Sequence, residues 1–208
     1  MDSTVDDASV EVEESSRFWP AGSGRLLVKR GGHSVLRSAG IPKPVVLVDT
    51  REQQPLALWE NHPNWIGGER RATIKTGDYT VEGMESLLAL ERKSLADVVG
   101  CIVAGRQRFI AACQRLSRFR WKAILIEATY EDIKCGWIDT DIQSEVHPNA
   151  VCGTLDAIEA KFGIPIIYTS RHRQLVTERA ASWLSKHFTY WWLEENGFER
   201  VLIDSDRL

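Results

Sequence analysis

Glu91-Arg92-Lys93 follows Asp78, in Gly77-Asp78-Tyr79, by thirteen residues, and Asp97 comes six residues after the Glu. Two carboxylates and a lysine so spaced could carry out metal-assisted phosphodiester cleavage. The acids offer hard oxygen ligands to a divalent cation, and the ammonium answers the charge of a phosphate. The elements that must position them can be read beside them. Leu87-Leu88-Ala89-Leu90 runs into the motif as a short apolar stretch, the pattern of a buried strand. Residues i and i+2 of a strand share a face, so Glu91 and Lys93 point together and Arg92 points away. Ser94-Leu95-Ala96-Asp97 has capping-box spacing, with Ser94 as N-cap and Asp97 at N3, which predicts a helix from there to about Arg118.

Taken singly, these residues have bland readings. Gly-Asp is a common turn, and Glu-x-Lys on a strand is a solvated ion pair of little energy. Together with Asp49 and Glu52, at the end of the first strand and in the loop after it, they make a set of carboxylates that rarely converges without a cation.

Gly77-Asp78 followed by Glu91-Arg92-Lys93 and Asp97 resembles the signature of the XPF family of structure-selective endonucleases, a branch of the restriction-endonuclease-like PD-(D/E)XK superfold. The resemblance extends upstream to Val48-Asp49-Thr50-Arg51-Glu52. Downstream it takes in Gly105-Arg106-Gln107-Arg108-Phe109 and Ala123-Ile124-Leu125-Ile126-Glu127, so that it covers roughly residues 44 to 170. It implies an α/β fold with a restriction-endonuclease-like mixed central sheet flanked by helices. It also implies Mg2+ or Mn2+ held by Asp78 and Glu91, with the Arg92 carbonyl as a third contact and Lys93 beside the attacked phosphate. Asp49 and Glu52 would tune that metal or hold a second ion; the alternative is that Arg51 pairs internally with one of them. Arg92 belongs to the signature but faces away, so it pairs with Asp97 or orients the loop. Asp97 is equally well explained as part of the helix cap.

The activity implied is metal-dependent endonucleolytic cleavage of DNA, in branched, flap or fork structures during repair or recombination. Two alternatives stand beside it: a non-catalytic DNA-binding partner subunit of the same fold, and a Holliday-junction resolvase. The family commonly works as a homodimer or heterodimer. Many relatives carry tandem helix-hairpin-helix modules after the nuclease; this sequence shows no convincing hairpin pair, so any junction selectivity must come from the nuclease unit, a dimer or a partner.

Charge supports a nucleic-acid partner once it is partitioned. The net charge is −3, but residues 1–16 hold six acidic residues and no basic one. The rest of the chain has 26 basic against 23 acidic residues. From Arg92 to Lys122 there are eight basic residues and one acid. Arg106, Arg108, Arg115 and Arg118 in this segment are the expected DNA contacts, the last three at i, i+7 and i+10 of one predicted helix. Cys101, Cys113, Cys135 and Cys152 form no Cys-x-x-Cys pair, so they are expected to be reduced and no zinc is expected. No apolar run approaches the roughly 20 residues of a membrane span, and the acidic N-terminus is unlike a secretory signal. A cytoplasmic or nuclear protein, not secreted and not in a membrane, is expected.

The remaining elements complete the expectation. Residues 1–16 read as a disordered acidic tail and 17–43 as a linker or arm with one short strand at 26–28. Residues 44–208 read as the nuclease domain with a C-terminal helix. Strands are predicted at 45–48, 71–75, 79–81, 123–127 and 164–169, and helices at 148–161 and 173–194. Leu184, Phe188, Trp191 and Trp192 line one side of the last helix, as a core or oligomer face. Strands alternating with helices in the second half predict parallel neighbours.

Overall fold

The computed structural model describes residues 26–30, 33–37, 41–197 and 199–200; the acidic tail lies outside them. The strands of the main sheet are β3 (Val45–Asp49), β4 (Gly68–Ala72), β5 (Tyr79–Val81), β6 (Leu88–Ser94), β7 (Trp121–Glu127) and β8 (Ile166–Tyr168). Their order is β4-β3-β5-β6-β7-β8. β3 is parallel to β4 and antiparallel to β5, β5 is antiparallel to β6, and β6, β7 and β8 run parallel. A mixed sheet flanked by helices is the architecture expected.

Strand alternation divides the core in two. Leu88, Leu90, Ala123 and Leu125 join one apolar cluster, whereas Ala89, Ile124 and Ile126 join another. The first is covered by α1 (Leu58–Asn61) and α6 (Arg173–Glu195), through Leu58, Val176, Ala180, Leu184 and Phe188. The second is covered by α2 (Leu95–Val103), α3 (Arg106–Leu116), α4 (Tyr130–Lys134) and α5 (Pro148–Phe162), through Val98, Phe109, Ile133 and Leu155. The stripe on the C-terminal helix is therefore core: Leu184 and Phe188 are buried, and Trp191 and Trp192 pack on them partly buried. Gly163 ends α5 in the left-handed conformation, as a glycine after a helix commonly does.

Three expectations change. The helix predicted to reach about Arg118 is two helices, α2 and α3. Ala104 and Gly105 both donate to Gly100 O (3.1 and 3.2 Å), and the chain turns there. Gly105 allows the close passage, since a Cβ would stand 3.2 Å from Cys101 Cα. The second helix ends at Leu116, so Arg118 lies beyond it in the turn. The strand expected at 71–75 ends at Ala72, because the Ile74 N–H is taken by the Asp49 carboxylate (3.1 Å). The stretch read as a linker carries β1 (Leu26–Arg30) and β2 (His33–Arg37). They form a small antiparallel sheet with β9 (Glu199–Arg200), in the order β2-β1-β9. All four cysteines are free thiols. Among the described residues no helix is long and apolar enough to cross a membrane.

Candidate active site

The ends of three strands meet at one cleft. Asp78 immediately precedes β5, and its main chain ties two neighbours together. Its N–H donates to Leu90 O (2.9 Å), and its carbonyl accepts from Asp49 N (2.8 Å). The side chain is held as well: Asp78 Oδ2 accepts from Arg92 N at 2.7 Å. Glu91, Arg92 and Lys93 follow on β6, and Glu127 ends β7 opposite Ser94 in the parallel register. The cleft, of about 510 Å³, is lined by these residues together with Arg51, Glu52, Gln53, Gln54, Ser94 and Asp97.

The expected alternation along β6 is present. Lys93 Nζ pairs with Glu91 Oε1 at 3.2 Å and sits 5.2 Å from the centroid of the Phe109 ring, on the α3 side of the sheet. Arg92 turns to the opposite side. Its partners are not Asp97, as one sequence expectation had it, but Glu127 through Nε and Glu52 Oε2 through Nη1 (3.1 Å). The reason is position: parallel pairing of β6 and β7 brings Glu127 alongside, whereas Asp97 lies on the exposed first turn of α2. With only 10% of its side chain exposed, Arg92 is one of three charges in a largely buried cluster.

The electrostatics separate the acids. Burial, and then the charge of Glu91, push the Asp78 carboxyl up to about 7, despite the hydrogen bond from Arg92 N. Burial disfavours the Lys93 ammonium, but its neighbours, Glu91 foremost, outweigh it and the net shift is upward, so Lys93 is charged at neutral pH. Asp49 is the opposite case. It is 1% exposed, and hydrogen bonds from Arg51 hold its carboxyl down at about 2. Oδ1 accepts from Arg51 N (2.7 Å) and Nε (2.9 Å), and Oδ2 from Arg51 Nη2 (2.8 Å) and Ile74 N (3.1 Å). The internal Arg51 pairing is therefore formed, and both Asp49 oxygens are engaged by it.

Asp97 and Ser94 form the cap of α2 in a variant way. Ser94 Oγ accepts from Asp97 N (3.1 Å) and donates to Asp97 Oδ2 (2.7 Å), so the carboxylate meets the hydroxyl rather than the Ser94 N–H. Arg108 and Arg115 project exposed from α3, with Phe109 and Cys113 buried beneath. Arg106, at the start of α3, reaches Thr154 Oγ1 of α5 at 3.3 Å. None of the four expected DNA contacts lines the cleft; they lie on and after the helix that carries Phe109 under Lys93. Glu127, Gln53 and Gln54 were not foreseen as site residues. Glu127 had a signal, an acid at the C-terminal end of a parallel strand; the two glutamines, exposed loop residues, had none.

The donor set suits a hard divalent cation. Two neighbouring carboxylates, one resisting ionisation through burial and then through the charge of the other, favour positive charge between them, and all their donors are oxygens. Among the described residues no group of three or more His, Cys, Asp or Glu side chains is arranged to hold a metal ion. A cation here would keep several waters, as Mg2+ does.

Comparison with known proteins agrees with the geometry. The family model for the ERCC4 domain matches residues 48–177. The fold is similar to that of XPF from Aeropyrum pernix, with a TM-score of 0.54 and 17% identity over 73% of this chain and 69% of that one. The same protein in complex with DNA superposes with a TM-score of 0.51 and 15% identity, over 74% and 66%. At these identities the likeness is one of fold. A Methanocaldococcus jannaschii protein named as a candidate ATP-dependent RNA helicase is 27% identical over 128 residues. The match takes in 61% of this chain but 14% of that protein's length.

Proposed function

The chain belongs to the ERCC4 domain family, and from that premise we propose that it is a divalent-metal-dependent endonuclease of DNA, directed to flap, fork or other branched substrates in repair or recombination. The observation that carries the reading is the meeting of the half-buried Asp78 carboxyl and Glu91 in one cleft with Lys93, where burial and then Glu91 push the Asp78 carboxyl up to about 7. Such a pair costs stability without a cation and becomes favourable with one.

Asp78 and Glu91 would hold Mg2+ or Mn2+, which supplies charge neutralisation at the attacked phosphate and a more acidic water. Lys93, kept charged by Glu91, positions that water or neutralises the phosphate. Arg92 holds Glu52 and Glu127 at the cleft wall and fixes Asp78 through its own N–H. Asp49 and Arg51 are assigned to the turn beside Asp78, since Asp49 gives both its oxygens to Arg51 and Ile74. Asp97 caps α2. Arg108 and Arg115, with Arg106 and Arg118 nearby, would run along the phosphate backbone; the complex of a structurally similar protein with DNA supports that partner.

The test is nicking of flap, fork and four-way DNA by the wild type and Asp78→Ala, with and without Mg2+ or Mn2+. Cleavage by the wild type alone, and only with the cation, is expected. Activity that survives the substitution or chelation would overturn the assignment. Tight binding with no cleavage under any condition would make the chain a DNA-binding subunit instead.

A further inference from the structure

The loop that joins β3 to α1 lies outside helix and strand, yet it supplies Arg51, Glu52, Gln53 and Gln54 to the cleft. Three arginines from distant parts of the chain hold it by its carbonyls. Arg71 Nη2 donates to Thr50 O (3.0 Å) and Glu52 O (2.5 Å). Arg92 Nη1 donates to Gln54 O (3.0 Å). Arg173 Nη2, from the first turn of α6, donates to the same Gln54 carbonyl (3.0 Å) and to Pro55 O (2.5 Å). The loop closes on itself where Gln54 N donates to Glu52 Oε1 (2.8 Å), leaving Glu52 Oε2 for Arg92.

One carbonyl, with two lone pairs, is thus shared by an arginine of the cleft and an arginine 119 residues away. Arg92 points to the α6 side of the sheet, which is why the two can meet. Its other anchors are Glu127 on β7 and Glu52 of the loop itself. If Arg173 is removed, the Gln54 carbonyl keeps only Arg92 and Pro55 O loses this partner. Arg71 still holds the Glu52 carbonyl, but the stretch after it can drift and loosen the Glu52 carboxylate through its bond to Gln54 N. Both bonds leave one nitrogen, Nη2, whose two N–H groups the planar guanidinium aims together; an ammonium is a single point on a flexible stem.

We propose that Arg173 is a positioning residue of this active site: it pins the Gln54–Pro55 carbonyls and so fixes Glu52 and Arg92 in the cleft. That it bears on cleavage rests on the nuclease reading above; that it fixes the loop does not. Arg173→Ala and Arg173→Lys are compared with wild type and with Arg171→Ala, whose arginine pairs with Asp132 (3.2 Å) instead. Hydrogen exchange of the amides of residues 52, 53, 54 and 56, the Arg92 Nε–Hε resonance and steady-state cleavage of flap DNA are measured.

In Arg173→Ala, loop exchange rises about tenfold while β6 and β7 keep their protection. The Arg92 resonance shifts, and kcat falls about tenfold with KM little changed. Arg173→Lys recovers part of each, and Arg171→Ala behaves as wild type. Unchanged loop exchange in Arg173→Ala overturns the proposal. So does faster exchange with an unchanged kcat, or a loss of protection throughout the sheet in both Arg173 variants. A wild type that cleaves nothing defeats the nuclease reading alone. The Arg92 resonance then decides the positioning: shifted in Arg173→Ala it upholds the proposal, unmoved it overturns it.

Discussion

Asp78 and Asp49 lie one hydrogen bond apart along the main chain, yet they titrate in opposite directions. The folded Asp78 carboxyl, at about 7 against an ordinary 3.8, holds its proton more tightly than in the unfolded chain. Cation-free stability therefore declines as pH rises from about 4 to about 7, and the penalty is complete above that. Asp78→Asn removes the penalty. In urea unfolding with EDTA it should stabilise the protein by about 2–3 kcal/mol at pH 8 and hardly at all at pH 4. Added Mg2+ should stabilise the wild type and not the variant. For Asp49 the sign reverses. Its carboxyl at about 2 contributes stability that is present above about pH 4 and lost as pH falls towards 2. Asp49→Asn should cost about 2 kcal/mol at pH 7, with the difference from wild type vanishing near pH 2 in an acid-unfolding series.

The turn into β5 shows how an element sets a side chain. Gly77 has φ +83, and a Cβ there would stand 3.1 Å from Leu90 O and 3.3 Å from Ala89 Cβ. The adjoining Asp78 N–H bonds to that same Leu90 carbonyl. Gly77→Ala should therefore destabilise by about 2 kcal/mol in thermal unfolding and, on the proposed function, lower the cleavage rate at least tenfold, because the displaced residue adjoins Asp78. A variant as stable and as active as wild type would show that the turn has slack. At this scale the sequence was informative where a period was intact. The i, i+2 alternation through Leu88, Ala89 and Leu90 placed Glu91 and Lys93 together and sent Arg92 to the other side. It was uninformative where one residue breaks a period, as Gly105 does between α2 and α3.

Across the whole molecule the question is where a nucleic acid would lie. Arg108 and Arg115 project from a helix whose inner face carries Phe109 under Lys93, so the basic surface begins beside the cleft without lining it. Contacts of that kind release counterions and read no sequence. In binding titrations on branched DNA between about 50 and 200 mM salt, Arg108→Ala and Arg115→Ala should each reduce the slope of log K against log salt by about 1. They should do so equally for substrates of different sequence. A slope unmoved by both would place the DNA elsewhere. Arg120, in the same basic segment of the sequence, is paired with Glu194 Oε2 at 2.8 Å, so local charge in the sequence overstates the charge available.

By itself the sequence determined the strand into Glu91, the shared face of Glu91 and Lys93, the cap at Ser94 and a basic segment after it. These follow from short-range rules: strand alternation and helix caps act over a few residues and are written in them. The mixed sheet, and Asp78 beside Glu91, entered only as what the family resemblance implies. Only the tertiary structure decided the partners. Glu127 reaches Arg92 because β7 pairs in parallel with β6. Asp49 gives both its carboxylate oxygens to Arg51 and Ile74. Arg173 meets Gln54 across 119 residues of chain. Hydrogen bonds and charges are settled by distance in space, and strand order, crossover and loop path set that distance without leaving a local pattern to read.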